Sequence, residues 1–475
     1  METFDIAELA KLLEKGGVEF SRSQDALFKA SLDHTRYSAL PAGVAFAASE
    51  GDVSKILFAC NKLGIPATVR GSGTGCAGGC VPICGGIVLD ISRLNFIEID
   101  PVSRIAHAGA GAITADIDAA ARKFGLFYAP DPSSHKFSSI GGNIACNAGG
   151  LRALKYGTTR ENLLALKAVL ASGEIISGAL ALKKYSVGLN LRDILVGSEG
   201  TLAVITRAWL RLLPLPESRS AAAAFFPSDE AALRGVEKIM RANLSPSVFE
   251  MMDAETCACV RKRNPDLQVP ENSAALLAQF DGEAGSAQAQ AKAFADVLAD
   301  SAVAVSYAVE PEKMEKLWAV RRASSQAMFE LGSGKFSQDI VLPYGAVAEF
   351  FKFYKALGAR EKMATPVFGH VGDGNYHIHF MYDLSDKTAR RRAMRAMDEA
   401  VAKAVELGGA VSGEHGVGFL KSKYMPLQHT RTELELMRGI KKLFDPHDIL
   451  NRGKVYGAAD ISEMEPLSGV RLPWD

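Results

Sequence analysis

VRGSGTGCAGG, residues 69–79, follows a short apolar run, IPATVR (65–70), that reads as a strand, so a glycine loop sits at a strand end. The loop has the spacing Gly73-x-Gly75-x-x-Gly78, formally that of a dinucleotide fingerprint, with Asp90 downstream. That fingerprint requires a helix to open on the loop. Pro82, Gly85 and Gly86 come next and argue against one. A simpler reading survives: successive backbone N–H groups of a glycine loop form a nest for a diphosphate without any helix. No Lys-Ser or Lys-Thr follows, which excludes an NTPase phosphate loop.

Outward from this loop the first half alternates short strands and helices. DVSKILFACNKL (52–63) has helical apolar spacing. GGIVLDIS, NFIEID and RIAHAGAG read as strands, and a helix is expected near 113–124. Two more glycine-rich stretches follow. PDPSSHKFSSIGGNIACNAGG (130–150) offers Ser138, Ser139, Gly141, Gly142 and Asn143 as small donors, and VGSEGTLAVIT (196–206) adds a tight turn and a strand. Each could be a mere turn. Together they suit a long ligand threaded along backbone.

The second half carries a different chemistry. In FGHVGDGNYHIH (368–379), a two-residue turn at Asp373-Gly374 would set His370 directly opposite His377, with Cβ atoms ~5 Å apart. Two imidazoles and a carboxylate with open positions suit a catalytic divalent ion. Glu414 of SGEHGVG (412–418) is the natural third ligand, and His415 is then a poised base. The same histidines would also serve as hydrogen-bonding turn residues. His379 shares the face of His377 and reads as a ligand, a substrate contact or a buried histidine.

The whole chain, at 475 residues and 48% hydrophobic, is long enough for two or three domains. Lys plus Arg and Asp plus Glu are both 54, so no net field attracts nucleic acid or an anionic membrane. The basic run Arg390, Arg391, Arg392 and Arg395 reads as a solvated helix face. No apolar stretch reaches the ~18 residues of a membrane span, and METFDIAELAKLLEKGG at the N-terminus lacks the pattern of a secretion signal. Seven scattered cysteines argue for reduced thiols and a cytoplasmic setting. Cys76, Cys80 and Cys84 lack the fourth cysteine and the short spacings of an iron-sulfur run, and read as small packing residues.

VRGSGTG, IGGNIACNAGG, YGTTRENLLALKAVLASGEI and VGSEGTLAVIT resemble the FAD-binding domain of the vanillyl-alcohol oxidase and para-cresol methylhydroxylase (PCMH) superfamily. GHVGDGNYH, SGEHGVG and FDPHDILNRGK resemble its D-2-hydroxy-acid dehydrogenase branch, which includes FAD-linked D-lactate dehydrogenases, glycolate oxidase large subunits and D-2-hydroxyglutarate dehydrogenases. The likeness runs in order over roughly residues 37 to 457. It implies an α+β fold: a PCMH-type FAD-binding domain over 1–216, a cap domain with an antiparallel sheet flanked by helices over 217–415, and a C-terminal segment, 416–475, returning to the FAD domain. Cap helices are expected at 229–242, 284–299 and 387–407.

The resemblance also assigns residues. Arg70, Gly71, Ser72, Gly73, Thr74, Gly75, Ser139, Gly141 and Gly142 match the flavin-binding loops, with Gly78, Pro130, Ile205 and Asn451 as further cofactor contacts. His370, His377 and Glu414 match metal ligands, zinc first and iron or manganese as alternatives. His415 matches the base, and Arg321 of the Trp318–Arg321 element the carboxylate-binding arginine, with Arg322 as fallback. Covalently flavinylated relatives place histidine where this chain has Thr74, so dissociable FAD is expected. Ala203 and Arg452 replace a usual glycine and proline. His379 replaces the asparagine of hydroxyglutarate dehydrogenases, which favours D-lactate or glycolate over a dicarboxylate.

The implied reaction is oxidation of a small D-2-hydroxy acid to the 2-oxo acid by hydride transfer to flavin. The implied acceptors are an iron-sulfur or electron-transfer flavoprotein partner, which could hold the protein at the inner membrane, and a homodimer is compatible with the family. Two rivals stand beside this: a flavin-binding electron-transfer subunit without substrate chemistry, and a colourless metallohydrolase.

Overall fold

The computed structural model of the chain describes residues 4–457 and 464–474. It divides into two compact units, the first of residues 1–150, 157–215 and 414–475 and the second of residues 151–156 and 216–413.

The first unit begins with the helix Ile6–Lys15, which buries Leu9 and Leu13; residues 1–3 of the N-terminal stretch lie outside the described residues. The expected helix after residue 50 forms over Glu50–Leu63. The Ser49 side chain accepts from the Asp52 amide at its start, Gly64 closes it in a left-handed conformation, and Val53, Ile56, Leu57 and Cys60 are buried at helical spacing. The strand Ala67–Arg70 then pairs in parallel with Ile87–Asp90, so no helix opens on the glycine loop between them. With Gly43–Phe46 and Glu19–Ser21 these strands make a four-stranded sheet.

A five-stranded antiparallel sheet follows, in the order Ile97–Asp100, Ile105–Gly109, Val204–Arg211, Leu163–Val169, Ile175–Ser177. The helix Thr114–Arg122 stands where the sequence placed one. The stretch around Gly141, which reads as a turn from its glycines, contains a short helix, Ile140–Cys146, capped by Ser139. The C-terminal segment enters this unit through a parallel bridge between Leu450 and Ala67.

The second unit is built on a seven-stranded antiparallel sheet. Its strand order is Ala304–Ala308, Ser218–Phe226, Ala274–Gly282, Val248–Met252, Val367–His370, Asn375–Tyr382, Gly334–Val341. The alanine-rich stretches form the helices Asp229–Arg241, Ser286–Leu298 and Ala389–Glu406. The last buries Ala393, Ala396, Met397, Ala400, Val401 and Ala404, a stripe at 3.6-residue spacing that packs on the sheet edge. Alternation along Asn375–Tyr382 gives the sheet two characters. Tyr376 and Phe380 meet Phe351 and Tyr354 of the helix Val347–Glu361. His377, His379 and Met381 point to the other face, where Phe368 and the helix Pro311–Ala327 pack.

Among the described residues no helix is long and apolar enough to cross a membrane, and no disulfide joins any of the seven cysteines.

Candidate active site

In the first unit the three glycine-rich stretches converge on one cavity of about 340 Å³, within the size range of ligand pockets. Gly71, Ser72, Gly73, Thr74, Gly75, Ser139, Gly141, Gly142, Ile205 and Asn451 all line it, and so do Glu414 and His415. Gly71 must lack a side chain, because a Cβ there would collide with the Ser139 hydroxyl. That hydroxyl accepts from the Gly142 amide at 3.3 Å. The two stretches therefore interlock, and the Gly141 amide donates to the Ala110 carbonyl at 2.8 Å.

Arg70, Gly78 and Pro130 stand outside the cavity lining. Arg70 donates to the Leu32 carbonyl at 2.7 Å and to the Cys80 sulfur at 3.3 Å, and the Phe419 ring fills the space a side chain at Gly78 would need. Asn451 ties three segments together: its Oδ1 accepts from the Val69 amide at 2.9 Å and its Nδ2 donates to the Glu199 carbonyl at 2.6 Å. Lys454, three residues on, is buried and donates to the Gly79 carbonyl at 2.8 Å. Burial pushes its pKa down to about 8.

Glu414 and His415 enter the cavity on a loop held by a residue the sequence reading passed over. The buried Glu199 carboxylate accepts from the amides of Val417 and Gly418, both at 2.7 Å. Burial raises the Glu199 pKa, and the two backbone bonds only partly offset it. Gly418 has φ +51°, and a Cβ there would collide with the Ala77 carbonyl, so the turn needs glycine. The result holds His415 Nε2 3.8 Å from Glu414 Oε1.

In the second unit the histidine hairpin differs in register from the expectation. His370 pairs with Asn375 and His377 with Phe368, so the loop is the four residues 371–374 and not a two-residue turn at Asp373-Gly374. The histidines are diagonal rather than directly opposed. The shift is two residues, an even number, so both side chains keep the same face. Their ring centroids lie 5.3 Å apart, nearly perpendicular, with ligand nitrogens within 4.8 Å.

His379 is buried on that face, its Nδ1 bonded to the Pro366 carbonyl at 3.1 Å and its ring stacked on Phe368. Asp339 pairs across strands with His377 and accepts from the Gly413 amide at 2.8 Å.

Arg321 projects onto the same face from the helix Pro311–Ala327, its guanidinium 4.4 Å from the Phe368 ring centre. Its Nε donates to Glu250 Oε2 at 2.6 Å, and the other oxygen of that carboxylate meets His370 Nδ1 at 2.5 Å. Arg322, by contrast, is exposed and pairs with Glu315 at 2.7 Å. Burial alone would raise the Glu250 pKa, but its contacts with His370 and Arg321 outweigh it and hold it below the ordinary range. Glu250 was not singled out from the sequence. Its signal was there: a charge inside the apolar run VFEMM is rarely buried without a partner.

A family model described as "FAD linked oxidases, C-terminal domain" matches residues 215–455, and one described as "FAD binding domain" matches residues 41–178. The chain belongs to the FAD-linked oxidases. As such it is an FAD-binding oxidoreductase, and the glycine-lined cavity suits that cofactor. This FAD-linked oxidase is 35% identical over 461 residues to the glycolate oxidase subunit GlcD of Bacillus subtilis, covering 96% of this chain and 97% of that one. It is 34% identical to a D-lactate dehydrogenase of Anaerostipes hadrus, covering 86% and 88%. Among solved structures, p-cresol methylhydroxylase with substrate bound superposes with a TM-score of 0.77 at 15% identity, covering 96% of this chain and 98% of that chain. At that identity the likeness speaks for the fold alone, a PCMH-type FAD-binding fold with an α+β architecture.

Proposed function

We propose that this FAD-linked oxidase converts a small D-2-hydroxy acid, D-lactate or glycolate, to the 2-oxo acid. In this reading a divalent cation is held by His370, His377 and Glu414. The observation that carries it is the shared sheet face of His370, His377 and Arg321: two ligand nitrogens within 4.8 Å of each other, beside a guanidinium of the kind that holds a carboxylate. When bound, FAD supplies the two-electron acceptor and the cation the Lewis acid that lets an aliphatic hydroxyl lose its proton near neutral pH.

The chain's own residues do the rest. His370 and His377 offer nitrogen lone pairs and Glu414 a carboxylate, a donor set that suits zinc, then iron or manganese. Arg321 holds the substrate carboxylate; its Nε is already engaged by Glu250, and among the described residues its Nη groups make no hydrogen bond. His415 takes the hydroxyl proton. Thr74 provides no imidazole for a covalent flavin link, which supports dissociable FAD. His379, buried against Phe368, stands where hydroxyglutarate dehydrogenases carry asparagine, which supports a monocarboxylic substrate over a dicarboxylic one.

The B. subtilis relative is named as a subunit. That supports an electron-accepting partner, an iron-sulfur protein or an electron-transfer flavoprotein, serving a cytoplasmic enzyme. The test is one spectrum of the purified protein, followed by anaerobic addition of D-lactate, glycolate or D-2-hydroxyglutarate. The flavin band should bleach with one of the first two. A colourless protein, or a flavin that none of the three reduces, would overturn the reading.

A further inference from the structure

We propose that Glu250 is a positioning residue that sets the metal-ligand histidine and the substrate arginine together. The inference rests on the metal-site reading above and deepens it. Met251 and Met252 pair with Gly369 and Phe368; continuing that register by one residue brings Glu250 beside His370. The carboxylate is fully buried, and its two oxygens go to different partners, Oε1 to His370 Nδ1 at 2.5 Å and Oε2 to Arg321 Nε at 2.6 Å.

A neutral His370 that donates from Nδ1 to this carboxylate keeps its lone pair on Nε2, the nitrogen then able to ligate. A carboxylate contact of this kind fixes ring orientation and raises ligand basicity. The same side chain fixes the Arg321 fork from its Nε edge, which turns the Nη edge to any anion. One buried residue thus aligns the two groups that would grip the hydroxyl end and the carboxylate end of a 2-hydroxy acid.

Zinc titration of the metal-stripped, FAD-loaded full chain against a competing chelator tests this. Glu250→Gln keeps the volume but removes the charge, and zinc affinity should fall 10- to 100-fold, the usual cost of losing such a contact, while KM for the acid rises. Arg321→Gln should raise KM without weakening zinc. If Glu250→Gln alone does not accumulate, the double variant E250Q/R321Q, which leaves no buried charge unpaired, carries the same titration and the same expected loss. Zinc affinity within twofold of wild type in either Glu250 variant would overturn the proposal. A wild-type chain that takes up no zinc, iron or manganese would instead remove the metal reading beneath it.

Discussion

His370 and His377 occupy diagonal rather than opposite positions on neighbouring strands, and their rings nevertheless stand 5.3 Å apart on one face. A ligand pair built into a sheet in this way depends little on the loop that joins the strands. His377→Ala should therefore lose the bound metal and most turnover while FAD remains, because the residues lining the glycine cavity belong to the other unit. Metal analysis and the flavin spectrum of one preparation check both halves. Wild-type metal content with wild-type activity would make the site wrong.

FAD should be dissociable. Acid precipitation should leave the yellow colour in the supernatant, as expected for Thr74 in the loop position where covalently attached relatives carry histidine. Flavin in the pellet would contradict this.

Glu199→Ala removes the acceptor of two backbone amides, one of them buried. The expected cost is about 1–3 kcal/mol of stability, and because that loop carries His415, kcat should fall more than KM rises. Thermal unfolding beside steady-state kinetics measures both. An unchanged melting temperature and kcat would show that the loop is held by other contacts.

Lys454 gives a pH signature. Its folded pKa of about 8 lies below the ordinary lysine value near 10.5, so the unfolded chain binds the extra proton between those limits. The sign follows: its contribution to stability is fully present above the unfolded value and is lost as pH falls through about 8, a swing on the order of 3 kcal/mol. Relative to Lys454→Met, the wild-type chain should gain stability from pH 8 to pH 10. Denaturant midpoints of both proteins across that range provide the measurement, and a pH-independent difference would sink the idea.

The local signals in the sequence were strong where one residue type leaves little freedom. Pro82, Gly85 and Gly86 excluded a helix after the glycine loop, and a parallel strand, Ile87–Asp90, stands there. The alanine-rich stretches had helical spacing and form helices. The histidine hairpin shows how a partial error survives: the two-residue turn was the wrong loop, but the register moved by an even number, and side-chain face has period two. A slip of one would have separated the pair.

What could not be read were long-range partners. Glu250 meets His370 across 120 residues of sequence and Glu199 meets Gly418 across 219. Spacing within one segment carries no trace of either. Residues 151–156 fall in the second unit although the residues on both sides belong to the first. Lys155 and Tyr156 there bond the Asp281 carboxylate at 2.6 and 2.8 Å, a tertiary anchor with no local pattern. Ile140–Cys146 was hidden by its glycines, which lower helix propensity but do not forbid a short helix capped by Ser139.

The account turns on His415 as the group that takes the substrate's hydroxyl proton. Rapid anaerobic mixing of D-lactate or glycolate, whichever the wild type oxidises, with wild-type and His415→Asn holoenzyme measures flavin reduction directly. The variant should keep its flavin and metal and be reduced roughly 10²-fold more slowly or worse, the usual scale for losing a general base. Equal reduction rates would contradict the base assignment, and loss of metal from the variant would make His415 a ligand instead.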